Sequence, residues 1–353
     1  MLKFDKLKEL LEEKDYDAFL ATKVENVFYL TNFWGEGMVL FTKDSTILFT
    51  YNLERDRALS SSKNCDVISV DRGIRIYDEI AKLSSGKKIF IDDAKSSIIK
   101  ALKDKALDIN LEPSLIYEVR RYKEDFEIDR IKRAGKVLDE LYDYSTKILR
   151  ESVRERELLA ELVRETFYRG CETSHPLSSL SPFIVAFGEN SAYPHAQVSD
   201  RRLRRGDVIV LDLFIRYEGY TCDCTRTFVL GRANEEFKEI YTLVKEAQRR
   251  GFEELKEGVE ARAVDEASRR IIKEAGYGKY YVHGLGHGVG LEVHEPPVLN
   301  PSSKDVIENR EVVTIEPGVY LNKKFGIRIE DTVVLKDGEK MVFNNFTKEL
   351  LEL

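Results

Sequence analysis

The spacing of apolar residues over roughly the first 120 positions predicts alternating helices and strands. Residues repeating along one helical face predict helices at 3–14, 26–30, 76–83 and 96–103. Short apolar runs predict strands at 18–21, 38–42, 46–50 and 88–91. Since no glycine-rich phosphate-binding loop interrupts these runs, core packing accounts for them and the segment is predicted to be an α/β domain.

Longer helices follow from Tyr122 onward, and they predict a second domain. The pattern predicts helices at 124–151, 153–168, 234–255 and 262–274, the second of them ended by Gly170. Strands are predicted at 183–187, on both sides of a turn at 217–219, and around a turn at 337–338. We therefore expect domains at 1–121 and 122–353, the second an α+β domain whose helices cover an antiparallel sheet.

Length and composition fit this division and exclude some classes of function. At 353 residues the chain exceeds one domain of about 150 residues. Its 34% charged residues and net charge of -7 argue against the basic surface that binds nucleic acid. The mixed-charge start has no apolar signal core, and no apolar stretch reaches the roughly 18 residues of a membrane span. A cytoplasmic protein that associates with neither nucleic acid nor membrane is expected.

Two aspartates stand in unfavourable surroundings for a charge. Asp212 lies inside the apolar run 208–215, where an uncompensated carboxylate costs several kcal/mol, and Asp223 follows across the turn. A hairpin loop at 217–218 would place them directly opposite each other, whereas a loop at 218–219 would make them diagonal neighbours. In both registers the two carboxylates share one face, about 5 to 8 Å apart at Cβ. A pair of ordinary turn-flanking aspartates is one explanation, and a metal ion between them is the other.

The four cysteines are too few for a disulfide framework in a chain of this length. Cys222 and Cys224 resemble a metal-binding pair by their spacing. On a strand, however, both side chains point to the face opposite Asp223. They are therefore predicted to be buried thiols.

Further candidate ligands gather in the second domain. The five histidines fall within one stretch of 120 residues, and three lie in the glycine-rich segment 282–295 (His175, His195, His283, His287, His294). Glu316 ends the apolar strand 312–315, and Glu330 lies within 326–334, where a salt bridge to Arg328 is an alternative to metal binding. Two aspartates, two glutamates and one histidine suit two cations bridged by carboxylates and a water, and favour manganese, cobalt or zinc in a hydrolytic role.

These segments resemble those of the pita-bread metallopeptidases that cleave next to proline, prolidase and aminopeptidase P, whose relatives include creatinase and methionine aminopeptidase. The matching segments are 212–214, 219–228, 283–295, 315–320 and 328–331. The resemblance covers nearly the whole chain. It implies a C-terminal pita-bread fold with an N-terminal α/β domain of the creatinase type, and hydrolysis of the bond between an N-terminal residue and proline.

The resemblance also implies a role for each candidate residue. The five metal ligands would be Asp212, Asp223, His287, Glu316 and Glu330. Asp223 and Glu330 would bridge two divalent ions, Mn²⁺ or Co²⁺ first and Zn²⁺ as a further option, and a hydroxide held between the ions would attack the peptide carbonyl. His294 would stabilise the oxyanion and Glu316 would shuttle the proton. The residues expected to face the substrate or support the ligands are His195, His283, Thr225, which would hold Asp223, and Arg328, which would orient Glu330 or the substrate.

Some points stay open at this level. The segment 29–34 resembles one that can approach a partner subunit's active site in the family, so a homodimer is expected, although Trp34 could equally be a buried anchor. Many dipeptide-specific relatives carry a basic residue where this chain has Val298, which leaves dipeptidase and aminopeptidase activity both open.

A creatinase-like amidinohydrolase needs no metal and a non-catalytic binding protein typically loses ligands, so the complete ligand set argues against both. The long N-terminal domain argues against methionine aminopeptidase.

Overall fold

The structure is a computed structural model and describes residues 2–73, 75–92, 94–174 and 180–353. The chain divides into two compact units, Met1–Arg120 and Arg121–Leu353. The boundary expected from the sequence, between residues 121 and 122, lies one residue later.

The N-terminal unit is an α/β domain, as predicted. Its helices are α1 (Leu2–Glu13), α2 (Val24–Thr31), α3 (Arg55–Ser61), α4 (Arg75–Ser84), α5 (Ser96–Lys103) and α6 (Ser114–Arg121). Its strands are β1 (Ala18–Ala21), β2 (Gly37–Thr42), β3 (Thr46–Tyr51), β4 (Asp66–Val70), β5 (Lys88–Ile91) and β6 (Asp108–Leu111). They form one mixed sheet in the order β4-β3-β2-β1-β5-β6. All eight predicted elements are present.

The elements missed in this unit are α3, β4, β6 and α6. Both missed strands are the outer strands of the sheet, and their residues are mostly exposed or half-buried. Edge strands bury less apolar surface than central ones, so the run of apolar residues that signals a strand is weak there. Trp34 is partly exposed and packs edge to face on Phe28, with ring centroids 5.2 Å apart. The buried-anchor interpretation of Trp34 is therefore wrong.

The C-terminal unit combines long helices with antiparallel sheets. Its helices are α7 (Asp125–Ile148), α8 (Glu155–Tyr168), α9 (Glu235–Glu254) and α10 (Ala261–Glu274). Its strands are β7 (Glu172–Thr173), β8 (Ile184–Phe187), β9 (Val208–Tyr217), β10 (Tyr220–Val229), β11 (Gly286–Gly288), β12 (Glu295–Leu299), β13 (Val312–Ile315), β14 (Gly318–Leu321), β15 (Phe325–Arg328), β16 (Asp331–Lys336) and β17 (Glu339–Val342).

The predicted helix-covered antiparallel sheet is confirmed. One sheet has the order β10-β9-β7 with β8 also paired to β9, a second has the order β12-β11-β13-β16-β17, and β14 pairs with β15. Phe237 and Val244 of α9 pack on Val210 and Ile327 in one core cluster. In a second cluster Val264 of α10 packs with residues of β13 and β16. Within the part of the chain that the structure describes, no helix is both long and apolar enough to cross a bilayer.

The hairpin of β9 and β10 adopts one of the two registers predicted for it. Glu218 and Gly219 form the two-residue loop with φ angles of 46° and 92°, and Tyr217 pairs with Tyr220. Asp212 therefore faces Thr225 across the strands, and Asp223 is its diagonal neighbour. Cys222 and Cys224 are buried on the opposite face as free thiols, which confirms the prediction for them.

Candidate metal centre

The five predicted metal ligands come from five different places in the C-terminal unit. Asp212 lies in the middle of β9 and Asp223 on the neighbouring β10. His287 is the central residue of β11, Glu316 follows β13, and Glu330 lies between β15 and β16. β11 lies so close to β13 that a Cβ at position 286 would collide with the Thr314 carbonyl, which explains the glycine before His287.

The ligand atoms of these residues converge. One ligand atom each from Asp223, His287 and Glu330 lies within 4.8 Å of the other two. His287 Nε2 lies 3.2 Å from Glu316 Oε1 and 4.0 Å from Asp223 Oδ2. Asp212 is close enough to Asp223 that its negative charge raises the pKa of the Asp223 carboxyl. The sequence-predicted ligands thus form one cluster of four carboxylates and one imidazole.

The protonation of this cluster reflects its burial and its crowded negative charges. Burial, followed by repulsion from neighbouring carboxylates, raises the pKa of Asp223 and of Glu330 well above the ordinary values. Burial also opposes ionisation of Glu316, but the hydrogen bond and charge of His287 outweigh it and lower the pKa of Glu316 to about 2. For His287, burial is outweighed by Glu316, so the pKa of His287 is raised.

Three buried carboxylate oxygens in this cluster have no hydrogen-bond partner: Asp212 Oδ1, Asp223 Oδ1 and Glu330 Oε1. The second oxygen of Asp212 accepts from Arg328 at 2.5 Å, and that of Glu330 accepts from the Thr225 hydroxyl at 2.7 Å. His287 Nδ1 lies 3.1 Å from the Gly288 carbonyl, which it can only donate to, so Nε2 is left as the metal-facing nitrogen. Unpartnered buried oxygens are costly, and divalent cations would satisfy them. The residues present therefore fit a carboxylate-rich metal centre.

Arg328 and Thr225 hold the carboxylates in a different way from the one predicted. The Thr225 hydroxyl donates to Glu330 and not to Asp223, so that prediction is wrong. Asp223 and Thr225 lie two residues apart on β10, with Cα atoms roughly 7 Å apart, and the hydroxyl of Thr225 is directed at Glu330 instead. The buried Arg328 guanidinium pairs with Asp212 and donates to Thr225 at 3.0 Å, so it orients Glu330 only through the hydroxyl. The alternative of a salt bridge between Arg328 and Glu330 is therefore also wrong.

Sequence reasoning missed two hydroxyl groups at this site. The Thr314 hydroxyl donates to Glu316 Oε1 at 3.3 Å and accepts from the His287 backbone N–H at 3.1 Å. The Tyr320 hydroxyl accepts from Arg328 at 2.7 Å and lies 3.0 Å from His283 Nε2. Both residues lie in the apolar segment 312–321 that surrounds Glu316. A polar group within an apolar run is the sequence feature that could have indicated them.

The remaining histidines differ in burial and in charge. His283 lies 2.7 Å from the Gly284 carbonyl through Nδ1, and since Tyr320 already accepts from Arg328, its hydroxyl proton is directed at His283 Nε2. Burial lowers the pKa of His283, in keeping with a neutral ring. The ring of His294 lies 4.3 Å from that of His287, and desolvation followed by the charge of His287 lowers the pKa of His294 to about 4.

His195 has an exposed side chain, and its charge is one of the influences that lower the pKa of His294. It follows Pro194, whose carbonyl accepts from Arg328 at 3.1 Å. Val298 pairs with His287 across β11 and β12 and is 43% exposed, so it lies beside a predicted ligand. His175 lies outside the described residues.

Comparison with known families and solved structures gives matches over both units of the chain. Residues 129–337 match metallopeptidase family M24, and residues 3–121 match the creatinase/prolidase N-terminal domain. The chain is 34% identical over 354 residues to the Xaa-Pro dipeptidase of Pyrococcus furiosus, with 99% of each covered. The prolidase structure from Pyrococcus horikoshii aligns with a TM-score of 0.91 at 34% identity, covering 99% of this chain and 100% of that one. The X-Pro aminopeptidase structure from Thermotoga maritima aligns with a TM-score of 0.89 at 30% identity, covering 99% of both.

Proposed function

Because this chain belongs to metallopeptidase family M24, we propose that it is a metal-dependent peptidase that hydrolyses the bond between an N-terminal residue and proline. The observation that carries the proposal is the convergence of three unpartnered, buried carboxylate oxygens with His287 and Glu316. Full-length relatives named for Xaa-Pro dipeptides support the choice of substrate.

The residues that would hold the cations are Asp212, Asp223, His287, Glu316 and Glu330, and their oxygen-rich chemistry suits Mn²⁺ or Co²⁺, with Zn²⁺ also acceptable. When bound, divalent cations supply an activated water and polarise the carbonyl of the substrate. Arg328 and Thr225 fix one oxygen each of Asp212 and Glu330, so the second oxygens stay directed at the centre.

Two further side chains would act on the substrate. The ionised Glu316 takes a proton from the attacking water and returns it to the prolyl nitrogen, which carries no hydrogen in the peptide. His294 is neutral near pH 7 because its pKa is about 4, so its N–H can donate to the carbonyl oxygen as negative charge develops there.

The test is amine release from Xaa-Pro and Xaa-Ala dipeptides by chelated protein, with and without added Mn²⁺ or Co²⁺. We expect hydrolysis of Xaa-Pro only with metal, and its loss in Glu316→Gln. Hydrolysis of creatine by the chelated protein would instead support the amidinohydrolase alternative. Absence of hydrolysis with every substrate and metal would support a binding protein.

Substrate length is tested at Val298. We expect Val298→Arg to raise the ratio of kcat/KM for Xaa-Pro dipeptides over Xaa-Pro tripeptides, because it places a cation beside His287 where a dipeptide's carboxylate would lie. Val306→Arg is the matched control, since Val306 is equally exposed at 42% and makes no contact with the five ligands in the described contacts. An unchanged ratio would show that Val298 does not limit the length of the substrate.

We further propose that the protein acts as a homodimer in the cytoplasm. The likeness of residues 29–34 to a family segment that approaches a partner's active site supports the dimer, and the four unpaired cysteines suit a reducing compartment. Light scattering during gel filtration should give twice the 40.8 kDa mass of one chain. A mass of 40.8 kDa would refute the dimer and leave the peptidase assay unaffected.

A further inference from the structure

His195 is presented by an irregular segment, residues 188–199, which we call the histidine loop. The loop follows β8 and begins with a short 3₁₀ turn, Gly188–Ala192. On one side it reaches the metal centre, since the Pro194 carbonyl accepts from Arg328 at 3.1 Å and the Ser191 hydroxyl accepts from the Gly326 N–H at 2.9 Å. The position of His195 therefore depends on how this loop is held.

The other side of the loop is held by one buried carboxylate, that of Glu155 on α8. Its Oε1 accepts from the Phe187 N–H at 2.8 Å and from the Asn190 amide at 2.9 Å. Its Oε2 accepts from the same amide at 3.0 Å and from the N–H and hydroxyl of Ser199, at 2.8 and 2.6 Å. Glu155 thus binds the residue that precedes the loop, a residue within it and its last residue.

Helix capping does not account for this arrangement. A carboxylate in the first turn of a helix is favoured by the helix dipole, and α8 has two of them. Glu157 makes the cap, since its side chain accepts from the Arg154 N–H at 2.9 Å. In the described contacts, each oxygen of Glu155 instead accepts from a residue of the histidine loop, Asn190 or Ser199. Burying a carboxylate costs free energy, even when hydrogen-bond donors surround it. That cost indicates that the geometry of the histidine loop matters.

We propose that Glu155 is a positioning residue that sets the location of His195 at the metal centre. The proposal rests on the proposed function for the role of His195 in substrate binding. Through the loop, Glu155 is connected to Pro194 and Arg328, and so to the carboxylate of Asp212. A change at Glu155 therefore moves a residue that faces the substrate without touching the substrate itself.

The decisive variant is Glu155→Gln, which keeps the shape of the side chain. Both carboxylate oxygens accept from N–H groups, so the amide NH₂ faces a donor in either orientation. Glu157→Gln is the matched control, because it removes an acidic group from the same helical turn. Among the described contacts, Glu157 has none with the histidine loop.

The first measurement needs neither metal nor activity. In metal-free protein carrying ¹³C-labelled histidine, the imidazole Cε1–H signals are assigned by single histidine substitutions. We expect Glu155→Gln to shift or broaden the His195 signal, and Glu157→Gln to leave that signal unchanged. An unaltered His195 signal in Glu155→Gln would overturn the proposal.

The second measurement is a double-mutant cycle on Xaa-Pro hydrolysis by the metal-loaded protein. Glu155→Gln should lower kcat/KM by about 10- to 100-fold, a loss expected for a misplaced binding group. In a His195→Ala background the same change should cost about twofold or less, because the residue it acts through is gone. Equal losses in both backgrounds would show a structural role only, and would contradict the proposal.

Failure of the proposed function can be distinguished from failure of the positioning role of Glu155. If the unsubstituted protein does not hydrolyse Xaa-Pro peptides, the proposed function fails, and the histidine signals still decide whether Glu155 positions His195. If Glu155→Gln does not fold, Ser199→Ala replaces it, since it removes one donor and keeps the buried carboxylate satisfied by the others. Ser199→Ala should then give the same changes at smaller size, and no change in its His195 signal would contradict the proposal.

Discussion

At the scale of single residues, Asp212 and Glu330 share one arrangement that suits a carboxylate proposed to bind a metal. In each, one oxygen is held by a side chain of the protein and the other is buried without a partner. The held oxygen limits rotation of the carboxylate, so the open oxygen keeps its direction before any cation arrives. Replacing residues that support ligands in this manner typically costs about 10- to 100-fold in metal affinity or activity.

Thr225→Val should weaken divalent metal binding by about 10- to 100-fold, because it removes the hydroxyl that joins Arg328 to Glu330 without changing the size of the side chain. Titration calorimetry with Mn²⁺ measures the affinity. Thr221→Val is the control, since Thr221 is equally buried on β10 and its hydroxyl faces Ser174 at 3.5 Å. Equal affinity in the Thr225 variant and the control would contradict this role.

Cation binding should release protons, and the apparent affinity should rise with pH. The pKa values of Asp223 and Glu330 are raised above the unfolded values of roughly 4, so above that pH these two carboxyls hold more protons in the folded metal-free protein than in the unfolded chain. These two groups therefore cost stability increasingly as the pH rises from about 4 towards their folded pKa values. A cation displaces the protons and removes this cost.

Calorimetry of Mn²⁺ binding in two buffers of different ionisation enthalpy counts the released protons. We expect net release near neutral pH, and a smaller release in Asp223→Asn, where one of the protonated carboxyls is gone. An identical binding enthalpy in both buffers would mean that Asp223 and Glu330 are already ionised in the metal-free protein.

At the scale of elements, the hairpin of β9 and β10 determines how the two aspartates meet. Glu218 and Gly219 both have positive φ, as the tight two-residue turns of hairpins require. This loop makes Asp212 and Asp223 diagonal neighbours and places Thr225 directly across from Asp212. A shift of the register by one residue would turn one carboxylate away from the shared face.

Gly219→Ala should lower the free energy of unfolding by about 1 to 2 kcal/mol, since φ at this position is 92° and a Cβ disfavours that conformation. Gly219→Asn should lose less, because asparagine tolerates positive φ better. Urea denaturation of the metal-free proteins measures the difference. If alanine and asparagine are equally tolerated, the turn does not require a left-handed residue.

At the scale of the whole molecule, the candidate metal centre lies in one of the two compact units. All five candidate ligands lie within Arg121–Leu353, on strands of more than one sheet or directly next to such strands. A cation there connects residues more than 100 positions apart, such as Asp223 and Glu330. Its binding energy should therefore stabilise the fold of this unit as a whole.

Removal of metal should lower the Tm of the C-terminal unit. A ligand present at 100 times its Kd adds about 2.7 kcal/mol to the stability of the state that binds it. Calorimetric scans of chelated and Mn²⁺-loaded protein measure the shift, and Asp223→Asn should lose most of it. A metal-dependent shift of equal size in Asp223→Asn would place the stabilising cation elsewhere.

The sequence by itself determined the pattern of elements and the set of metal-binding candidates. The strands at 18–21 and 88–91 and the helix at 96–103 could be predicted because local periodicity reports which face of a segment is buried. Asp212 could be singled out because a carboxylate inside an apolar run has few favourable explanations. The five-ligand set and the family followed from several separated motifs that occur in one order.

Only the tertiary structure decided which of these residues touch. The hairpin register was one of two possibilities, and the partner of Thr225 proved to be Glu330, 105 residues away. Arg328 pairs with Asp212, and Glu155 binds the loop that carries His195. No pattern in the neighbouring sequence predicts either contact. The physical reason is that periodicity records burial along a single segment, whereas hydrogen bonds between segments depend on how distant strands and loops pack.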